Sequence, residues 1–268
     1  MSTTTSTQAS GLLDVLLPEF EKDTGIRVKV IAKGTGAALK DGRDGNVDLI
    51  FVHAQAKEEK FMQEGYGTRR YAVMHNDFII VGPPDDPANL KGIKDAVTAL
   101  KKISMAKAKF ISRGDDSGTH SKEQRLWRKT GLPLEKKTTQ IIKKGKKRHV
   151  SYLYPQKGKN WYLSIGQGMG KTLTFADEKG AYALVDRGTY IKYKFGRKVA
   201  IDLEIVCEGD PDLINRYGVI PISPVKHPHV KHVLAKAFAE WLISKRGQNL
   251  IRNYKLLGKQ LFFPDAMQ

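Results

Sequence analysis

SRGDDSGTH, residues 112–120, lies between the apolar run AKFIS (108–112) and a helix-patterned stretch from Ser117 to about Lys129. A strand, then a turn of small, hydroxylated and charged residues, then a helix is the repeating unit of a parallel α/β sheet. Helix starts carry unpaired backbone N–H groups, so such a turn is also where an anion binds. Within it Arg113 supplies a rigid guanidinium fork, and Asp115 stands two residues on, placed to hold that fork and offset its charge. Ser117, Gly118 and Thr119 then open the helix with two hydroxyls around a residue too small to block a close approach. Taken alone, the stretch reads equally well as a capping turn with a surface Arg–Asp pair.

Three other segments share this character: TTTSTQASG (3–11), KGTGAALK (33–40) and SIGQGMGKT (164–172). The first offers the hydroxyls of Thr4, Thr5 and Ser6, the second Thr35, and the third the backbone N–H groups of Gly168, Met169 and Gly170. A phosphate loop is excluded in the third, because the GxxxxGK[ST] pattern needs glycine at the position of Ile165. In an open parallel sheet ligands bind where helices start at the C-terminal strand ends. Two of the four segments fall before, and two after, the Pro-rich break at NDFIIVGPPDDP, read as a crossing between domains near residue 83.

Outward from these turns the α/β alternation continues. Leu13, Leu16, Leu17 and Phe20 form a helical stripe interrupted by Pro18. IRVKVI (26–31) alternates like a half-buried strand, NVDLIFVH follows as another, and AKEEKFMQEG returns to helix with a Gly stop. After the break the pattern predicts a helix near 92–104, the strands WYLSI and AYALV around a helix from about Met169, and the strand-like IDLEIVCEG and YGVIPIS. One long helix is expected over residues 229–255, with Val233, Leu234, Ala237, Phe238, Trp241 and Leu242 on its apolar face. No repeat of 20–50 residues argues for a solenoid.

The 268 residues are 40% apolar and 28% charged, within the globular range, but 46 Lys plus Arg against 28 Asp plus Glu leave a net +18. That charge points to anionic partners: a small oxyanion, nucleic acid or an acidic membrane surface. Residues 133–159 alone carry eight Lys and one Arg against one Glu. They read as a solvated, mobile hairpin, with a nucleic-acid surface using Tyr152 and Tyr154 as the alternative. The single cysteine, Cys207, excludes an internal disulfide and a CxxC zinc site, and it reads as a small core residue. His227, His229 and His232 lack the spacing of a metal triad, and no GxSxG or HExxH is present. His120 reads as structural. No cofactor and no direct metal-cation ligand is expected, and an enzyme acting on a phosphorylated metabolite is the weaker rival.

The segments TTTSTQASGLLDVLLPEFEKDTGIRVKV, GTGAALK, DLIFVHA, EEKFMQEGYG, VMHNDFIIVGP, SRGDDSGTH, GQGMG, ADEKGAYALVDRGTY and GKQLFFPDA, in collinear order, resemble the tungstate-binding extracytoplasmic solute receptors of ABC importers. The resemblance implies a type II periplasmic-binding-protein fold: two lobes, each a mostly parallel sheet flanked by helices, with the ligand in the cleft. The lobes are expected at 1–81 with 220–268 and at 82–219, hinging around the 80–83 and 217–223 crossings, with 133–159 as a basic insertion. It further implies a monomer that captures tungstate, with molybdate second, and delivers it to a membrane permease. The family's anion contacts carry over to Thr4, Thr5, Ser6, Thr35, Arg113, Ser117 and Thr119. The compartment is periplasmic or otherwise extracytoplasmic, with Met1 standing in for a removed leader and a lipid anchor on the native form left open. Phosphate or another tetrahedral oxyanion is the alternative ligand. A fully ionised tungstate accepts hydrogen bonds and offers none, which suits a site of N–H, hydroxyl and guanidinium donors in which Asp116 is the only spare carboxylate. Arg113→Ala is therefore expected to weaken binding far more than Lys144→Ala.

Overall fold

The computed structural model describes residues 1–143 and 146–266. The chain divides into two compact units, Met1–Asn76 with Asn215–Gln268, and Asp77–Ile214.

In the first unit a short central strand, β1 (Ser2–Thr4), pairs in parallel on one side with β2 (Ile31–Lys33) and on the other with β3 (Leu49–Val52). Each strand runs straight into a helix or reaches one within a few residues: α1 (Thr5–Ala9) and α2 (Leu12–Thr24) after β1, α3 (Thr35–Arg43) after β2, and α4 (Gln55–Gln63) after β3. The alternation in IRVKVI does not extend into a ladder, for β2 begins only at Ile31. Its partner β1 is three residues long, and at the start of β2 the segment is tied to Met1 by Lys29 O, which accepts from the Met1 ammonium, and by Ile31 N, which donates to Met1 O. Pro18 sits inside α2, which runs on to Gly25, whose left-handed backbone (φ 71°) closes the helix onto the Glu21 carbonyl. The chain leaves this unit inside the unbroken strand β4 (Tyr71–Gly82), six residues before the Pro83–Pro84 break.

The second unit begins its own βα alternation with α5 (Ala96–Ala106), β5 (Phe110–Ser112) and α6 (Gly118–Lys129). A hairpin of β6 (Leu134–Lys143) and β7 (Lys146–Pro155) leads to β8 (Tyr162–Ser164) and α7 (Met169–Lys179). Then come β9 (Ala183–Asp186), α8 (Arg187–Phe195), β10 (Glu204–Cys207) and β11 (Ile214–Pro221). β5 and β8 pair in parallel, and the latter half of β4 takes β9 and β10 as antiparallel neighbours. Phe110 and Trp127 meet edge to face at 5.5 Å in a core that also holds Tyr162, Tyr182 and Leu126. Cys207 belongs to the same core, where burial pushes its thiol up to about 12. Such a thiol packs as a small apolar group and stays unreactive.

β11 returns the chain to the first unit, antiparallel to β3. The single helix expected over 229–255 is two, α9 (His232–Ile243) and α10 (Lys245–Asn253). Ser244 breaks them: its backbone is extended (ψ 162°), and its hydroxyl oxygen accepts from Gly247 N, capping α10. The buried stripe of α9 is Ala235, Phe238, Ala239 and Leu242, while Val233 and Leu234 of the expected face are exposed. Phe238 and Trp241 close on Phe20 of α2 at 4.8 and 5.4 Å. His227, His229 and His232 each donate to a backbone carbonyl, of Arg43, Gly45 and Ile222, and so pin loops.

The basic segment is a hairpin, but its inner face is not solvated. Ile141, Val150 and Tyr152 are buried, and Gln124 of α6 clamps β7 by donating to Leu153 O (3.0 Å) and accepting from Leu153 N (2.6 Å). Lys136, Lys147, Arg148 and His149 remain exposed. Gln124→Ala strips two backbone groups of their partners. We expect a loss of about 2 kcal/mol in urea unfolding, and a loss under about 0.5 kcal/mol, the usual size of a neutral surface change, refutes the clamp. No helix among the described residues is long and apolar enough to cross a membrane.

Candidate functional site

All four donor-rich segments stand where the sequence places them, directly after a strand and at the start of a helix. The structure also brings them together in pairs within each unit, since β1 pairs with β2 and β5 with β8, both in parallel. Parallel neighbours end on the same sheet edge, so each pair of turns forms one continuous donor surface.

In the first unit Thr4 lies opposite Lys33, one residue before the Gly34 cap of α3. Thr4 is buried, and its hydroxyl caps α1, accepting from Thr7 N at 3.1 Å and contacting Thr7 Oγ1 at 2.6 Å. Thr5 and Ser6 are exposed and Thr35 is half-buried. The adjacent cation is neutralised, for Lys33 Nζ reaches Asp41 at 2.8 Å and Ser2 Oγ donates to the same carboxylate. What remains presented outward is hydroxyl and N–H.

In the second unit the 112–120 loop is held by its own side chains. Asp115 accepts from Ser117 N, the Ser117 hydroxyl oxygen accepts from His120 N, and His120 Nδ1 accepts from Asp116 N. His120 is thus structural. Arg113 extends over this loop, with one amino group 3.1 Å from Asp115 Oδ2 and the other donating to Thr119 Oγ1 at 3.4 Å. Its Nε is shielded from water and meets no acceptor among the described residues. Asp115 is 5% exposed, so it serves to hold the guanidinium rather than to face solvent.

Gly114 makes this placement possible. Its φ is +60°, and a Cβ there would stand 2.0 Å from Ser164 Oγ, so only glycine lets the 112–120 loop lie against the 164–172 turn. Two backbone bonds lock them, Ile165 N to Ser112 O and Gln167 N to Arg113 O, each 3.1 Å. At the helix starts Gly118 and Gly168 have open space where a side chain would stand. Met169 turns its side chain into the core, and Gly170 is packed beneath the Tyr193 hydroxyl, so α7 presents its backbone here.

Behind Arg113 lies Glu123, fully buried, accepting from Ser112 Oγ (2.7 Å) and Tyr162 Oη (2.6 Å). Burial pushes its carboxyl up to about 7. Near the mouth of the loop, Asp115, Asp116, Ile141, Lys147, Arg148 and His149 line a cavity of about 370 Å³, which places the exposed cations of the hairpin beside the donor surface.

Sequence reasoning passed over His53. It follows β3, the other parallel neighbour of β1, and its Nε2 lies 3.1 Å from both Thr4 Oγ1 and Ser6 Oγ. The available signal was its position, one residue past the C-terminal end of a parallel strand in DLIFVHA.

The model of the PBP superfamily domain matches residues 1–246. A tungstate-binding protein TupA of Peptoclostridium acidaminophilum is 47% identical over 270 residues, covering 99% of this chain and 85% of its own length. A putative ABC transporter anion-binding protein of Haloferax volcanii is 43% identical over 268 residues, covering 100% of this chain and 72% of its own. Among solved structures, the tungstate-binding protein TupA of Desulfovibrio alaskensis G20 superposes with a TM-score of 0.88 at 44% identity, over 99% of this chain and 98% of the other.

Proposed function

The chain belongs to the PBP superfamily and, within it, to the tungstate-binding substrate receptors of ABC importers, and from that footing we propose that its donor surfaces bind tungstate, with molybdate as the second ligand. Thr5, Ser6 and Thr35 supply hydroxyls from the first unit, with Thr4 holding their turn. Arg113, Ser117, Thr119 and the backbone N–H groups at Gly118 and Gly168–Gly170 supply the second. The observation that carries the reading is Arg113, oriented by Asp115 and Thr119, with a buried Nε–H that meets no acceptor among the described residues. A buried donor without a partner is costly, and an acceptor-only dianion relieves it. Sulfate shares that acceptor-only character but is smaller, whereas a phosphate retaining a proton prefers a carboxylate to receive it, and among the described residues of these four turns Asp116 is the only one not engaged by Arg113. The net +18 raises the rate of dianion capture at low salt. The protein works outside the cytoplasmic membrane as a monomer, handing its cargo to a permease.

A thermal-shift series with tungstate, molybdate, sulfate and phosphate tests this. Ligand at a hundred times Kd stabilises the folded state by about 2.7 kcal/mol, so tungstate is expected to raise Tm by several degrees, molybdate less, and the other two hardly at all. Equal shifts for all four, or none, overturn the assignment.

A further inference from the structure

His53 sits at the centre of a chain of polar contacts that runs from α1 to β4. Asn215 donates its Nδ2–H to Asn76 Oδ1 at 2.7 Å, which turns its own Oδ1 toward His53 Nδ1 at 3.2 Å. Only a protonated Nδ1 satisfies that contact, since a carbonyl oxygen accepts and never donates. A neutral imidazole then carries a bare lone pair on Nε2. That nitrogen faces Thr4 Oγ1 and Ser6 Oγ, each 3.1 Å away. The ring is held flat by Tyr217, stacked at 4.6 Å, and its backbone is followed by Ala54, whose N–H donates to Glu58. Glu58 in turn is paired with Arg70 at 2.7 Å.

Thr4 Oγ1 already accepts from Thr7 N, and Thr7 Oγ1, buried and 2.6 Å away, is placed to give it a second proton. With both lone pairs of Thr4 taken, its own proton has His53 Nε2 as the acceptor that completes the chain. Every member then points one way: Thr7 to Thr4, Thr4 to His53, His53 to Asn215, Asn215 to Asn76. We infer that His53 is a positioning residue of the oxyanion site, taking the Thr4 hydroxyl proton as the Nδ1–H tautomer and thereby leaving the exposed Ser6 hydroxyl to donate outward. The inference rests on the tungstate reading above for its functional consequence, but the tautomer and the direction of the chain do not depend on it. Without an acceptor at Nε2, the Thr4 proton turns to Ser6 Oγ, 3.0 Å away. Ser6 remains a donor, yet it is then pulled into the capping turn instead of being aimed at the ligand.

Two measurements decide it. Nitrogen-15 NMR of histidine-labelled, ligand-free protein at pH 8 is expected to show His53 with Nδ1 protonated and Nε2 bare, and an Nε2–H tautomer overturns the inference whatever the ligand. Tungstate titration calorimetry then compares two variants. Glutamine carries its amide out to the place of Nε2, whereas asparagine reaches only that of Nδ1. His53→Gln is expected to bind within about threefold of the natural protein and His53→Asn about tenfold more weakly, the scale of one well-placed hydrogen bond, with apo Tm values alike. Equal affinities, or equal losses in both variants, refute a role in aiming protons. If the natural protein itself binds no tungstate, the ligand assignment falls, and the NMR result alone settles the state of His53. Should His53→Asn fail to fold, the same spectrum decides.

Discussion

Replacing Arg113 by alanine is expected to weaken tungstate binding by about two orders of magnitude or more. Hydrogen bonds to a charged group contribute about 1.5–3 kcal/mol each, and 1.4 kcal/mol is tenfold in affinity. A guanidinium offering even two such bonds to a dianion therefore accounts for at least a hundredfold. The variant also leaves Asp115, 5% exposed, without its cation and beside the incoming dianion, so the loss exceeds that of the donor alone. Arg113→Lys restores charge but not the fork, and recovers only part of the affinity. Lys144 lies outside the described residues, so the matched control is Lys136→Ala on the hairpin, an exposed cation outside the cavity lining that acts through the screened field. Calorimetry at one ionic strength separates them: Lys136→Ala changes Kd by less than about threefold, within the range of screened surface pairs. Equal losses remove Arg113 from the site.

The positions of the four donor turns were legible because each is local. A strand pattern, a run of Gly, Ser and Thr, and a helix pattern lie within about a dozen residues, and the capping chemistry of Ser117 and the glycine at 168 act on the backbone next to them. Pairing between turns was not legible, since nothing in 3–11 names 33–40 as its neighbour. Only the sheet does that, by placing β2 beside β1 and β8 beside β5. His53 escaped for the same reason: 49 residues separate it from Thr4, and a lone histidine after a strand has many uses. The misread helix end has a different cause. Ser244 is an ordinary residue inside an apolar period, and the side-chain bond to Gly247 that breaks the helix there competes with continuation by only a few tenths to about 1 kcal/mol, the value of one N-cap. The apolar face of α9 was misplaced by about one residue: Val233 and Leu234, although apolar, are exposed, and Ala235 of the same turn is the residue that is buried.

The second large effect concerns Glu123, and its sign runs against the usual behaviour of carboxylates. Most paired carboxylates have lowered values in the folded state and stabilise a protein as pH rises. Glu123 is raised from the ordinary glutamate value near 4.5 up to about 7, because burial costs the charged form more than the hydroxyls of Tyr162 and Ser112 return. The unfolded chain therefore releases this proton first. The group's contribution is greatest below pH 4.5, falls as pH rises and is gone once pH passes about 7. At about 1.4 kcal/mol per pH unit over that interval, the natural protein is expected to lose about 3 kcal/mol between pH 4.5 and 8 through this one residue. Other groups titrate over the same range, so the test is a difference. Urea unfolding of Glu123→Gln beside the natural protein at pH 5 and pH 8 cancels them. The amide suits the site, since its oxygen accepts from Tyr162 and its nitrogen donates to Ser112, whose hydroxyl turns to receive it. The variant should be no more stable than the natural protein at pH 5 and more stable by about 2–3 kcal/mol at pH 8, whereas parallel profiles mean that Glu123 is charged in the folded state throughout. Because Ser112 immediately precedes Arg113, a shift in that hydroxyl on deprotonation reaches the guanidinium through a single residue. Tungstate affinity at the two pH values in the same variant then reads whether the buried proton is purely structural or also tunes the fork.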